Sequence, residues 1–533
     1  MLVDLATNPE LAERQYDVCV VGGGAAGVSL ARELMNKGHD VCLAESGGLD
    51  FEARTQALYA GRNLGHEYYD LEESRLRFFG GTVSIWGGRC ALLDDIDFAA
   101  RDWVPYSGWP ITREDVLPYY RQAQDIFEIG PFEWDDPYRL CGIPDQGFDP
   151  ECLATDLWRF DEASERFSRD RAQDLMDAPN LTILLHANAV HVQLAANGAN
   201  VEHIEVRSLD GQSAKLKARH YVLTCGTIEN VRLLMASNDV IPDGIGNQYD
   251  QLGRFFMEHP TGRIAKVETD RPFDLWAAYQ KRFMPDGPPL APVLRLADSV
   301  QKQERALNSI VTFKLQRPPE KGVALGNRVY HNIKHSLNPD RKGRALDHLY
   351  RGVRAWFHRV VRESVEKAMA NTGMTGLYMI VRGEQAPNPN SRIVLSNERD
   401  ALGQRRADLN WQLSEQDKHT ARVMTHVFDK EMRRLGKGHV TPSDWISETG
   451  TDWPVDPTVG NHPIAGYHHM GGTRMSDDPK TGVVDGQCRV HGVSNLHVAG
   501  SSVFTTAGWA NPTFTLVALA LRLADRIDGE LCR

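Results

Sequence analysis

The sequence predicts an α/β protein in which a Rossmann-like dinucleotide-binding domain is joined to a second domain with a large mixed or antiparallel sheet and helices. Three observations predict it. Tyr16 to Glu45 reads as strand, glycine turn, helix, strand and acid, in that order. After residue 261 the texture changes to short alternating segments. The 533 residues also exceed the roughly 250–300 at which a single core stops growing, so two domains are the minimum.

The first element is an apolar run, Val18 to Val21, that has the character of a buried parallel strand. Gly22, Gly24 and Gly27 then fit G-x-G-x-x-G. The first suits the tight turn, the second lets backbone approach a pyrophosphate, and the third lets helix pack on strand. Val28, Leu30, Ala31 and Leu34 supply the helix's apolar positions, Gly38 ends it, and Val41 to Ala44 is the next strand. Glu45 follows Gly27 by 18 positions, near the offset at which an acid takes ribose hydroxyls. The pattern fits NAD or FAD and argues against a 2′-phosphate.

Composition is that of an ordinary globular protein, and a formal charge of −11 gives no footprint for nucleic acid. Eight scattered cysteines form no C-x-x-C. Cys19, Cys42 and Cys225 fall in expected strands, which favours a reducing compartment over a disulfide framework. No basic leader with an apolar core opens the chain, and no stretch approaches the ~18 apolar residues of a membrane span. The expectation is a cytoplasmic protein, although export with a signal-bearing partner would leave no mark here.

Further along, Ser74 to Cys90 (SRLRFFGGTVSIWGGRC) has glycines suited to backbone lying against a flat ligand. Thr112 is an expected helix N-cap, with Asp115 three positions on. Between Leu181 and Met235 lie short strands, and the last, Tyr221 to Thr224, precedes a turn at Gly226 and an apolar helix that can rejoin the first sheet. His259, before Pro260, is expected to be a hydrogen-bonded structural group. From Thr261 to Val459, segments such as RIAKVET, SIVTFKL, SRIVLS and RADLNWQLS suggest the second sheet.

One helix interrupting that sheet, Ala345 to Met369, carries Leu346, Leu349, Tyr350, Val353, Trp356, Phe357, Val360 and Val361 on one face. Its flank and polar face are basic: Lys334, His335, Arg341, Lys342, Arg344, Arg351, Arg354, His358, Arg359 and Arg362. Such a face is either solvated or a peripheral contact with an anionic membrane or a partner. Trp276, Tyr279, Tyr330, Trp356 and Tyr378 are core residues or a stacking surface for a sugar ring.

Gly466 to Ile527 carries the chemistry. It opens with adjacent histidines, His468 and His469, before a glycine turn. A short strand, Leu496 to Ala499, leads to Gly500 and Ser501, and a final helix starts at Asn511, Pro512 and Thr513. Proline suits the first helical turn, and the helix start aims donors at whatever lies before it. His462, His491 and His497 are expected to be satisfied structural histidines, and no spacing suggests a metal site.

These blocks, together with GRFFMEHP, GEQAPNPNSRIVLS, YHHMGGTRM and GSSVF…ANPTFT, resemble the GMC (glucose-methanol-choline) oxidoreductases, and among them the pyranose oxidase and sugar dehydrogenase-like branch. The resemblance implies the GMC / p-hydroxybenzoate hydroxylase-like architecture, with 12–262 as the first part of an FAD domain, 263–460 as substrate domain and 461–533 returning to the FAD domain. It implies catalytic His469, four positions before Thr473, with Asn511 as its partner, and His468 is the competing candidate. It places FAD against Gly22, Gly24, Ala25, Ala26, Gly27, Glu45, Ser46, Gly81, Thr82, Trp86, Gly87, Gly88, Val190, Cys225, Gly226, Gly500, Ser501, Asn511 and Thr513. Covalent members have histidine where Ile85 stands, which implies non-covalent FAD. Many members have aspartate where Gly500 stands.

The activity implied is oxidation of a CH–OH group of a sugar, glycoside or polyol. The electrons would go to oxygen, a quinone or a protein acceptor. A non-sugar alcohol oxidoreductase and a non-redox flavin lyase stay open as alternatives, as does a homo-oligomer.

Overall fold

The computed structural model describes all residues except 13, 164, 319–338, 358–362, 373 and 461. The strand before the glycine turn, Gln15–Val21, lies at the centre of an eight-stranded sheet. On one side of it Val41–Ala44, Leu181–Leu185 and Leu2–Asp4 add in parallel. On the other lies Ser213–Leu223, whose second half pairs parallel with both Gln15–Val21 and Leu496–Val498. Its first half pairs antiparallel with Val201–Arg207, which in turn pairs with Asn188–Leu194. Strands from both ends of the chain therefore share one sheet, and Gly22, Glu45, Thr224 and Ala499 lie together just past their carboxyl ends.

The first helix, Ala25–Asn36, buries Val28, Leu30, Ala31 and Leu34 and packs against the last helix, Pro512–Leu531. Gly27 lets the helix lie close on the glycine turn, because a Cβ there would stand 1.9 Å from the Gly22 carbonyl oxygen. Thr112 caps helix Arg113–Phe127 in a reciprocal capping box with Asp115.

The second sheet has seven strands, all paired antiparallel: His439–Pro442, Thr261–Glu268, Gly376–Arg382, Ile310–Gln316, Leu290–Leu296, Leu153–Phe160 and Arg89–Cys90. Its last two strands come from within 12–262, so the two halves of the fold are interleaved rather than sequential. Two segments expected in it, Arg392–Arg399 and Arg405–Asn410, instead form a separate hairpin against helix Thr227–Ala236. Cys225 lies in the turn after its strand, and no cysteine is in a disulfide.

The helix expected over 345–369 is described as Arg341–Phe357 and Glu363–Asn371. In its apolar stripe Leu346, Leu349 and Val353 are 52%, 65% and 58% exposed, and Tyr350 is half-buried. Arg344 is not solvated, being buried against Asp50 and Glu165. Lys334, His335, His358, Arg359, Val360, Val361 and Arg362, like Tyr330, lie outside the described residues. Trp276, Tyr279 and Tyr378 are core residues. Among the described residues no helix is long and apolar enough to cross a membrane.

Candidate active site

A cavity of about 800 Å³ runs along the carboxyl edge of the first sheet and under the second. Three helices begin at its wall, at Gly24, Gly226 and Asn511, and none has a side-chain cap. Their free N–H groups and positive dipole ends all point to an electron-rich or anionic ligand. Gly24, Gly226 and Gly500 line the cavity with no heavy atom within 4 Å of where a Cβ would stand. A side chain at any of them would enter the cavity, so the wall is shaped for backbone to lie against a ligand.

Gly22, Ala25 and Ala26 line the same end. Gly22 holds φ at 110°, and a Cβ there would collide with the Thr224 carbonyl. The Glu45 carboxylate lines the cavity beside them and accepts from the backbone N–H of Gly23 (2.7 Å) and Gly47 (2.8 Å) and from the Ser46 hydroxyl. Val190, Cys225 and Ser46 lie along the wall, as do Gly81, Thr82, Trp86 and Gly87 further in. Two expected contacts do not face the cavity. Gly27 packs the helix on the turn, and Gly88, at φ 68°, lies where a Cβ would meet the Asp161 carbonyl at 2.0 Å.

At the cavity wall Glu229 takes ion pairs from Arg75 (3.0 Å), Arg77 (3.2 Å) and Arg232 (3.3 Å). Burial opposes its charge, but Arg232, Arg75 and Arg77 together hold its carboxyl down at about 2. This cluster was not legible in the sequence, because Arg75 and Arg77 lie more than 150 positions from Glu229 and Arg232.

A family model described as "GMC oxidoreductase" matches residues 387–520, and one described as "FAD dependent oxidoreductase" matches 17–239. The chain belongs to the GMC oxidoreductases. As such it is an FAD-dependent enzyme, and the uncapped helix starts, the open glycines and Glu45 fit that dinucleotide. Similar to this GMC chain are 6'''-hydroxyparomomycin C oxidase of Streptomyces lividus and fructose dehydrogenase large subunit of Gluconobacter japonicus. The first is 24% identical over 98% of this chain and 93% of its own length, the second 27% identical over 64% and 54%. Oxygen-dependent choline dehydrogenase of Acinetobacter baumannii is 23% identical over 97% of each chain. In fold, the crystal structure of formate oxidase matches with a TM-score of 0.52 at 18% identity, over 97% of this chain and 98% of that one.

The far end of the GMC cavity holds both histidines of the pair, with different partners. Asn511 Nδ2 donates to His468 Nε2 at 2.9 Å, and His468 Nδ1 lies 2.8 Å from His259 Nδ1. His469 Nε2 instead meets the Tyr68 hydroxyl at 3.0 Å, its ring packed near Tyr68 and Phe256. Asn511, the expected partner of His469, bonds its neighbour His468. A left-handed Tyr467, φ 60°, sets the direction in which the pair leaves the turn. Glu258 fixes that turn, accepting from the Tyr68 hydroxyl (2.5 Å) and from the backbone N–H of His259, Gly466 and His468.

Burial, with repulsion from His259, Arg382, His462 and Arg89, holds His468 well below its usual range. Burial lowers His469 to about 3 and His259 to about 4. Burial pushes Glu258 up to about 7 against its hydrogen bonds. His259 was expected to be a hydrogen-bonded structural residue, and its bond to His468 gives that bond a place in the site.

Away from the cavity, His491 bonds the Ser476 carbonyl as a structural histidine would. His497 departs from that expectation, because neither ring nitrogen has a hydrogen-bond partner among the described residues. It stands near His220 and Glu530, and Arg526 pairs with that carboxylate.

Proposed function

We propose that this GMC oxidoreductase oxidises a CH–OH group of a sugar, glycoside or polyol, with His468 as the base and Asn511 orienting the reacting oxygen. One observation carries the assignment: Asn511 donates to His468 Nε2. That contact makes Nε2 the nitrogen with the lone pair and leaves the ring proton on Nδ1, where His259 Nδ1 accepts it. A substrate hydroxyl entering between His468 and Asn511 gives its proton to Nε2 and accepts the amide N–H. His469 is less suited, because its Nε2 is taken up by Tyr68.

FAD, held at the Gly22–Ala26 turn and the start of the last helix, supplies the hydride acceptor. Neutral imidazole suits the task because burial keeps it unprotonated near neutral pH. The printed names of the two sugar-type relatives support a carbohydrate substrate. Ile85 offers the flavin no nucleophile, so FAD is bound without a covalent link. The electrons pass to oxygen, a quinone or a protein acceptor, and the enzyme works in the cytoplasm.

The test is anaerobic mixing of the yellow holoenzyme with monosaccharides, glycosides and polyols, followed by readmission of air. Bleaching of the flavin by a member of the set is the expected result. Absence of bleaching across all three classes refutes the reading, and the rate of recolouring in air separates oxidase from dehydrogenase.

A further inference from the structure

Among the described residues, two arginines at the His468 end of the cavity have no counter-charge. Arg89, on the edge strand of the second sheet, and Arg382, at the end of its strand Gly376–Arg382, both line the cavity. Both stand over the indole of Trp158, at 5.1 Å and 5.9 Å from its centroid, and Arg89 also lies 5.6 Å from the Phe160 ring. The Nε of each lacks a hydrogen-bond partner, and among the described residues neither guanidinium has a carboxylate in ion-pair range. Elsewhere buried arginines are paired with a carboxylate, as Arg101 on Glu384 and Arg166 on Asp161, or bonded to backbone carbonyls, as Arg159 and Arg474 are.

Desolvation, with repulsion from Arg382, lowers Arg89 to about 9, and desolvation lowers Arg382 as well. An unpaired charge taken out of water is costly, so two side by side on a cavity wall mark a place where a ligand supplies the missing charge. They project from the substrate-domain sheet, whereas the glycine turn and uncapped helix starts belong to the other sheet.

We propose that the substrate carries a carboxylate or phosphate, and that Arg89 and Arg382 hold this group while the hydroxyl to be oxidised meets His468 and Asn511. Guanidinium groups grip both anions through paired N–H donors. The inference rests on the oxidoreductase reading and narrows it: sugar acids, hydroxy acids and sugar phosphates are favoured. A quaternary ammonium such as choline is repelled.

The experiment mixes holoenzyme anaerobically with a neutral methyl glucoside, the matching uronate, the matching 6-phosphate and the matching 2-amino sugar. An acidic member is expected to half-saturate flavin bleaching at about tenfold lower concentration than the neutral glycoside, with the amine poorest. In Arg89→Gln and Arg382→Gln the acidic-to-neutral ratio falls to about parity, and in Arg89→Lys part of it survives. Equal or better use of the neutral glycoside by the native enzyme overturns the proposal. So does a lowered flavin reduction potential in the glutamine variants with the substrate order unchanged, which assigns the arginines to the reduced ring.

Non-reducing anions, inorganic phosphate and acetate, are titrated in parallel while the flavin absorbance is followed. If no sugar bleaches the flavin but phosphate perturbs its spectrum in native enzyme and not in Arg382→Gln, the anion site stands and the oxidoreductase reading falls. If neither anion perturbs the spectrum and no acidic sugar is preferred, the anion site falls.

Discussion

His468 and Asn511 meet at 2.9 Å although 42 residues separate them, and the neighbouring His469 turns instead to Tyr68. The two histidines are identical in chemistry and adjacent in sequence, so their different partners make different demands on substitution.

His468→Ala should lower the rate of flavin reduction by about 10²–10⁴-fold, the usual contribution of a positioned base, with FAD still bound. His469→Ala should lower it by less and show itself in stability, through the loss of the Tyr68 contact. Stopped-flow reduction and a thermal melt on both variants check the assignment, and the reverse order returns the base to His469.

In the proposed mechanism His259 positions His468 through the contact between their Nδ1 atoms. Replacing it by leucine removes the acceptor for the His468 Nδ1 proton. Loss of such an outer-shell partner typically costs roughly 10–100-fold. The distinguishing measurement is the pH profile of reduction, which should change shape in His259→Leu, whereas a purely packing defect would lower the rate equally at every pH.

The sign of the pH dependence follows from burial. His468 is held well below its ordinary value of about 6.5. The loss of flavin reduction that comes from protonating it should therefore lie at lower pH than for an ordinary imidazole. A rate that halves near pH 6.5 would mean an ordinary, solvated imidazole.

Gly27→Ala places a methyl group 1.9 Å from the Gly22 backbone oxygen and 2.7 Å from the Thr224 hydroxyl. Overpacking of this kind typically costs about 1–3 kcal/mol. Because the strain falls on the glycine turn, the variant should be purified with little or no flavin, measured by the ratio of absorbance at 450 nm to that at 280 nm (about the usual flavin and protein bands).

Acid precipitation of the holoenzyme should leave the yellow colour in the supernatant. Colour retained in the pellet would mean a covalent attachment through some residue other than position 85.

By itself the sequence determined the cofactor half of this protein. Strand, glycine turn, helix and acid form a local code, since each needs only its neighbours and the strand and helix periods, and Gly22, Gly24 and Glu45 stand at the cavity where that code put them. It also pointed to the C-terminal histidines, and His468 and His469 line the same cavity. What only the tertiary structure decided was which histidine meets Asn511, that Glu258 and Tyr68 fix the turn between them, and that Arg89 and Arg382 share one indole. These arrangements depend on one left-handed residue at Tyr467 and on strands drawn into each sheet from distant parts of the chain. A one-residue change of register reverses which side chain faces the cavity, and no spacing rule within a single segment records that choice.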